Sequence, residues 1–487
     1  MKTDFSCEVA PVGVEGRPAP EGKLERTVFV TSRALDFASQ KELVAQTGHS
    51  PEAWPLVCLK ELLDNSLDGC EQAGIAPIVA VTVDERGITI TDNGPGIAAS
   101  TIQAITDFTV RVSSKEAYIA PDRGRQGNAF KTLIAIPFVL HGDCGKMLIS
   151  TRGSIYEIAM RLDRVRSAPV IAINAAPDEG ENVKKGTSVT VEWPDSASSI
   201  LEAAKADFYK LATDAAFLNP HLSITVDWFG HKSATPTGEV GWLKWKPQDP
   251  TSPHWYEGQH LARLIGAYVS YDAETGGHRT LREFLSEFRG LAGTGKQKAV
   301  AGACGLSGAA LADLVVDGHQ LDMAKVERLL LAMQNQTKPV KPQALGVLGR
   351  NHLARQFEDA GCEMDSFEYR KMENTVKGLP WVLEAAFAVH RSAFDADPMN
   401  RRLIAGVNWS PAIQNPFRQL QPYYSLDALL EQQRAGREEP VVIALHLACP
   451  RLEFMDRGKS AISLLPPMAN AIIEAVTGVT TSVVCHN

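Results

Sequence analysis

Glu61, Asn65 and Asp68 fall within Glu61-Leu-Leu-Asp-Asn65-Ser-Leu-Asp68. At helical spacing these residues share one face, so that a carboxylate and a carboxamide converge on one ligand. An amide oxygen suits Mg²⁺, and a carboxylate beside it can orient water for attack. A further carboxylate stands in Asp92-Asn93-Gly94-Pro95-Gly96. Residues 79–83 and 88–92 are β-branched and joined by Asp84-Glu85-Arg86-Gly87, which predicts a hairpin with Asp92 at the end of its second strand. From there a carboxylate can accept from the amino group of an adenine. Gly94 and Gly96 let the backbone approach a ring closely, and Pro95 stiffens the turn between them. The stretch Arg123-Gly-Arg-Gln-Gly-Asn-Ala-Phe-Lys131 opens a predicted helix, where free N–H groups and the helix dipole attract phosphate. Gly186-Thr187, before the strand-like Ser188-Val-Thr-Val191, supplies a hydroxyl behind the base.

Each piece alone has a bland reading. A Glu/Asn/Asp face on an amphipathic helix is usually solvated, and Asp-Asn-Gly-Pro-Gly is usually just a turn. Their occurrence in one order, on a helix, a strand end, a loop and a strand, makes an ATP site the expectation. Lys131 and Asp64 also read as surface charges.

The elements that position these residues belong to a larger molecule. A chain of 487 residues holds about three domains of ordinary size, and the 44% hydrophobic fraction is that of a globular protein. No apolar run reaches the roughly 18 residues that span a bilayer, and the N-terminus lacks a signal-peptide core, so a cytoplasmic location is expected. The eight cysteines include no C-x-x-C pair, which favours neither zinc nor a disulfide framework. Cys58, Cys70 and Cys449 sit in apolar stretches and read as buried thiols.

A net charge of −8 argues against a surface coated in positive potential, so any contact with DNA must be local. Residues 278–298 are the candidate, since Arg279, Arg282, Arg289, Lys296 and Lys298 outnumber Glu283 and Glu287; a solvated face is the competing reading. Gly290-Leu-Ala-Gly-Thr-Gly-Lys296-Gln297 nearly matches a P-loop. Gln297, however, replaces the required hydroxyl, and Leu281, Phe284, Leu285 and Phe288 place a helix, not a strand, before it. A Gly-rich turn between helices is expected, followed by helices at 299–306, 308–316 and 323–333.

Pro236, Pro247, Pro250 and Pro253 mark a boundary within residues 229–257, and Thr337-Lys-Pro-Val-Lys-Pro342 marks another. Beyond it, 381–389, 402–409 and 440–449 read as strands. Helices are expected at 425–432, capped by a serine, and at 468–476, ending near Gly478. This is the pattern of a compact α/β layer.

The order of the boxes resembles the GHKL superfamily of ATPases, which includes gyrase B, MutL and sensor histidine kinases. Asp-Asn-Ser-Leu-Asp, then Ser114-Lys115, then Arg-Gly-x-Gln-Gly, is most similar to the B subunit of topoisomerase VI. The resemblance covers most of residues 28–478, with specific motifs in 61–131. It implies an α+β architecture: a Bergerat-type ATPase sandwich over 28–230 and a linker at 231–257. A helix-two-turn-helix-like domain at 258–340 and a transducer-like α/β domain at 341–487 would follow, with residues 1–27 as an N-terminal strap or a disordered arm. It implies Glu61 as general base, Asn65 as the Mg²⁺ ligand and Asp92 as the reader of adenine. Ser114, Lys115, Gly124, Arg125, Gln126, Gly127, Asn128, Ala129, Phe130 and Lys131 would hold phosphates, although Ala129 stands where the family usually has glycine. Lys459, in Phe454-Met-Asp-Arg457-Gly-Lys-Ser460, matches a transducer lysine that reaches back to the γ-phosphate, with Arg457 its nearest competitor.

The implied activity is ATP hydrolysis that closes and reopens a homodimeric clamp, gating DNA passage together with a separate DNA-cleaving subunit, and no membrane partner. A stand-alone ATP-gated DNA clamp of the MutL kind is the alternative, and a protein-binding chaperone a third. A histidine kinase is disfavoured, because no histidine on a dimerising helix precedes the ATPase boxes.

Overall fold

The computed structural model describes residues 37–105, 117–123, 129–163, 168–178, 185–235, 238–239, 241–316, 320–394, 399–456, 458 and 460–485. The predicted hairpin forms: β1 (Ile78–Asp84) and β2 (Gly87–Asp92) pair antiparallel, with Val81 opposite Ile90 and Asp84 opposite Gly87. The other strands of this sheet are β3 (Cys144–Thr151), β4 (Ser154–Asp163), β5 (Ala168–Pro177), β6 (Thr187–Glu192), β7 (Ser223–Trp228) and β8 (His231–Ala234). The order is β5-β4-β3-β6-β2-β1-β7-β8, antiparallel throughout except where β1 runs parallel to β7. Along β1, Val79, Val81 and Val83 are buried while Ile78 is exposed, the alternation of a sheet with one covered face. The cover is helical. Leu43 of α1 (Gln40–Thr47) and Leu59 and Leu63 of α2 (Trp54–Gln72) share that core with Leu133 and Ile136 of the Ala129–His141 helix and Phe208 of the Lys205–Leu218 helix.

After a short ribbon of β9 (Val315–Val316) and β10 (Gln320–Leu321) comes a second large sheet, of five strands in the order β11-β12-β15-β13-β14. Its members are β11 (Glu368–Val376), β12 (Leu379–Val389), β13 (Arg402–Val407), β14 (Ser410–Pro411) and β15 (Val441–Ala448). β15 is buried along its whole length and β12 over all but its last residue, as expected of strands covered on both faces. Leu383, Phe387, Ile443 and Leu445 pack with Ile472 and Val476 of the C-terminal helix. Val382, Ala386, Val442 and Ala444 pack the other way, against Phe217 and Leu218 at the end of the Lys205–Leu218 helix. That helix therefore serves both sheets. The architecture is α+β.

Between the two large sheets in sequence lie the helices Gly258–Thr275, Leu281–Ser286, Thr294–Cys304 and Met323–Asn335, packed around Leu264, Phe284, Val300 and Leu329. Thr280 opens the second with a capping box to Glu283. The P-loop-like stretch follows a helix, as expected, and Gln297 is buried with its amide donating to the Leu291 and Ala292 carbonyls. From the first turn of the Thr294–Cys304 helix, which starts ahead of the expected residue 299, its side chain ties down the Gly-rich turn that precedes it.

Three expectations need correction. Residues 308–316 form one 3₁₀ turn (Leu311–Leu314) and the two-residue β9, because Leu311 and Leu314 anchor the turn in the core and Val315 pairs with Leu321. The strand expected over 402–409 turns back after Val407. The last helix runs Pro466–Cys485, well beyond Gly478. There, glycine is a packing residue: a Cβ would collide with the Arg370 guanidinium from β11.

Candidate functional site

α2 starts with a proline in its first turn, which lacks only an N–H the helix end leaves unpaired, and it has almost no solvent face. Asp64, Ser66 and Glu71 are buried along with its leucines. Asn65 is exposed and Glu61 half-buried, one turn apart, and both line a cavity of about 1020 Å³. Asp92, Gly96, Thr187, Ala129, Phe130 and Lys131 line the same cavity, so helix, strand end, loop and strand do converge.

Asp92 is fixed from three directions. Its Oδ1 accepts from the Gly94 N–H (2.8 Å) and the Thr187 N–H (3.2 Å), and its Oδ2 accepts from the Ser66 hydroxyl (3.0 Å). A carboxylate has about four lone-pair sites, so Oδ1 is filled and Oδ2 keeps one for a ligand. Burial raises the Asp92 carboxyl above its ordinary range, against the pull of these hydrogen bonds. Ser66 was not singled out in the sequence, although it directly follows Asn65. Thr187 contributes its backbone N–H, and it pairs across the ladders with Asp92 on β2 and Thr151 on β3. The Thr151 hydroxyl accepts from the Ile97 N–H and donates to the Gly186 carbonyl, which closes the Gly-rich turn onto the sheet. Gly94 lies beneath the cavity wall, against Asp92 and Cys70. Asn93 is structural, holding the Ala76 carbonyl and the Ile78 N–H.

Asp68 lines the same cavity and is paired with Arg123 at 2.7 Å. Burial lifts its carboxyl to about 6, with Arg123 opposing and Glu71 assisting the rise. Arg123, the first residue of the glycine-loop motif, has a fully buried side chain and also pairs with Glu71 through Nη1 and Nη2 (2.8 and 2.6 Å). Lys244 reaches Glu71 at 2.6 Å, and His221 Nε2 meets the same carboxylate at 2.9 Å. Burial alone would raise the Glu71 carboxyl, but Arg123 and Lys244 hold it well below the usual range. Lys244 itself is lowered, by burial first and then by Arg123. No local pattern announced this cluster, whose members come from four separate stretches of chain.

Ser114, Lys115, Gly124, Arg125, Gln126, Gly127, Asn128, Arg457 and Lys459 lie outside the described residues, as does the expected strap at 1–27. The neighbours of position 459, Gly458 and Ser460, line the cavity. Gly458 packs directly on Gly48 after α1, leaving no room for a Cβ. Ser460 is held to Asp456 through its N–H (2.9 Å) and hydroxyl (2.7 Å).

In the basic stretch, Arg279 is engaged by Glu287 (3.2 Å) and stacks on Tyr268 (3.8 Å), and Arg289 lies over Trp245 (5.1 Å). Arg282, Lys296 and Lys298 are exposed. Cys58, Cys70 and Cys449 are buried as thiols. Among the described residues, no helix is long and apolar enough to cross a membrane.

Curated proteins match this chain over most of its length. It is 23% identical over 444 residues to the B subunit of type 2 DNA topoisomerase 6 from Methanosarcina acetivorans, covering 86% of this chain and 67% of that protein. The chain is topoisomerase VI B-like. The B subunit from Archaeoglobus fulgidus is 28% identical over 270 residues, or 52% of this chain and 40% of that protein, and the one from Methanosarcina mazei is 22% identical over 443 residues. The chain thus spans between 40% and 67% of the length of these topoisomerase proteins. No family model matches it. Among solved structures, the N-terminal domain of a DNA repair protein aligns with 90% of this chain at 11% identity and a TM-score of 0.40, too loose a superposition to carry an argument.

Proposed function

We propose that this chain is an ATP-dependent, dimerising clamp of the type IIB topoisomerase B-subunit kind. It would hydrolyse ATP to gate DNA passage together with a separate DNA-cleaving subunit. The observation that carries the reading is the convergence of Glu61, Asn65 and Asp92 on one cavity, with Asp92 held by three hydrogen bonds that leave acceptor capacity on Oδ2. In this reading the eight-stranded sheet and its helices are a Bergerat-type GHKL domain over residues 28–230. Residues 258–340 are a helix-two-turn-helix-like domain, 231–257 join the two, and 341–487 are the transducer.

The residues fit Mg·ATP. Asp92 accepts from the adenine amino group, and Asn65, exposed to the cavity, offers an amide oxygen of the kind Mg²⁺ takes. The metal would neutralise charge on the phosphates. Glu61, on the same face of α2, orients water for in-line attack and accepts its proton. Lys131, buried at the start of its helix, adds positive charge where phosphate would lie, together with residues 124–130, Ser114 and Lys115. Lys459, flanked in sequence by two cavity-lining residues, would complete the phosphate site and report whether the γ-phosphate is present.

Hydrolysis by wild type and Glu61→Ala, with and without supercoiled DNA, tests this, alongside sedimentation with a non-hydrolysable analogue. A general base is worth about 10²–10⁴-fold. Turnover that falls by that factor while analogue-driven dimers persist supports the reading. Wild-type protein that is folded yet neither binds the analogue nor dimerises with it contradicts it.

A further inference from the structure

β13 and β14 are joined by a two-residue turn, Asn408-Trp409, with Val407 opposite Ser410. Both turn residues are left-handed, at φ 49° and 64°. Such hairpins favour Asn followed by Gly, because only glycine takes the second position without strain. Tryptophan there is costly, and an outlier of this kind points towards function. Its ring is wedged between Trp242 (6.1 Å between centroids) and His446 (5.4 Å), with the Lys244 ammonium 4.6 Å from its centre.

Three consecutive residues of this hairpin reach into the body that carries the candidate ATP site. The Asn408 amide approaches the Asp122 carbonyl at 3.4 Å, while the same side chain is anchored to the Cys449 backbone on its own sheet (2.8 and 3.0 Å). The Trp409 carbonyl accepts from the Asn219 amide at 2.8 Å, and the Asn219 carbonyl oxygen accepts from Arg123. The Ser410 hydroxyl bonds to Asp64 and Lys60, both at 2.7 Å. On the far side, the Trp409 N–H donates to His446 Nε2 (3.1 Å), and His446 Nδ1 faces the buried Glu384 at 3.6 Å. The recipients matter. Lys60 and Asp64 stand one residue before Glu61 and Asn65 respectively, and Asp122 and Arg123 immediately precede the glycine-rich sequence 124–128.

We infer that the Asn408–Ser410 hairpin is a positioning element for the ATP site, setting α2 and the entry to the phosphate loop together and passing nucleotide occupancy to the C-terminal sheet. The inference rests on the ATP reading above. Its residues need not touch nucleotide; they act through Asn219, Arg123, Asp64 and Lys60. The link differs from that assigned to Lys459, since it runs through buried hydrogen bonds and not through a side chain at the phosphate.

Hydrogen exchange on the full chain, with Mg²⁺ and adenylyl imidodiphosphate as the probe, tests it. Peptides over 87–96 report the pocket and peptides over 402–412 report the hairpin. In wild type, both slow on binding, the second by roughly 5-fold or more, the lower end of ordinary coupling between sites. Asn219→Asp keeps an acceptor for Arg123 but loses the donor to Trp409. Asn408→Gly keeps the left-handed turn but loses the amide facing Asp122 together with both bonds to the Cys449 backbone, so its exchange without the probe is the baseline against which its protection is read. In either variant the pocket peptides still slow with the probe while protection at 402–412 is lost. Undiminished protection at 402–412 in the folded variants overturns the inference, as does a wild type whose pocket slows while 402–412 does not. A wild type in which 87–96 never responds overturns the ATP reading instead.

Discussion

Arg123 and Glu71 form a bidentate ion pair, at 2.6 and 2.8 Å, with the arginine side chain wholly excluded from solvent. Lys244 and His221 crowd the same carboxylate. One anion thus balances several cationic or polar groups, with Asp68 helping from the next turn of α2.

Glu71→Ala should therefore be severe. Breaking a buried pair leaves uncompensated charge, at a cost of about 3–5 kcal/mol. Urea denaturation of wild type and variant measures it, and a loss below about 1 kcal/mol would show that Arg123 is not confined as described.

Asp92→Asn separates binding from folding. An asparagine Oδ1 still accepts from Gly94 and Thr187, and its amide can donate to the Ser66 hydroxyl. The position offered to adenine, however, changes from acceptor to donor. Calorimetric affinity for an ATP analogue should fall roughly 10- to 150-fold, the worth of a charged hydrogen bond at about 1.5–3 kcal/mol, with little change in melting temperature. Unchanged affinity would remove Asp92 from the adenine site.

His49 gives a pH test. It is buried beside the loop bearing Gly458, and burial first, then Lys60 and Arg418, lower its imidazole from 6.5 to about 4, with Asp456 opposing. The unfolded chain takes up a proton as pH falls through 6.5, whereas the folded chain resists until about pH 4. Stability from this group is therefore full above pH 6.5 and is lost progressively towards pH 4. His49→Asn should flatten the stability curve in that window by at most about 3.5 kcal/mol, at about 1.4 kcal/mol per pKa unit. Parallel curves for wild type and variant would refute the assignment.

Gly186→Ala probes the floor of the site. Gly186 sits at φ 96° with its Cβ position inside the Asp92 carbonyl, whereas Gly153, at φ 74°, has open space around it. Both alanines strain the backbone, by about 1–3 kcal/mol, but only Gly186→Ala also displaces Asp92. Analogue affinity should fall for Gly186→Ala and hold for Gly153→Ala; equal affinities would mean the close approach has no bearing on the pocket.

What the sequence determined by itself is local. The β1–β2 hairpin, the shared face of Glu61 and Asn65, the Ser425 cap and the rejection of a P-loop at 290–297 all rest on patterns a few residues long. Backbone sterics and hydrogen bonds act at that range. Tertiary structure decided the rest. Arg123 reads in the chain as the start of an anion-binding loop, yet its partner Glu71 lies 52 residues away. Ser410 carries no signal in the chain, yet it meets Asp64 across 346 residues. Gly478 reads as a helix stop, yet the helix continues, because a small residue is what lets it pack against Arg370. Spacing cannot encode such meetings, since burial fixes them only when two sheets close around one helix and each buried charge must find a partner there.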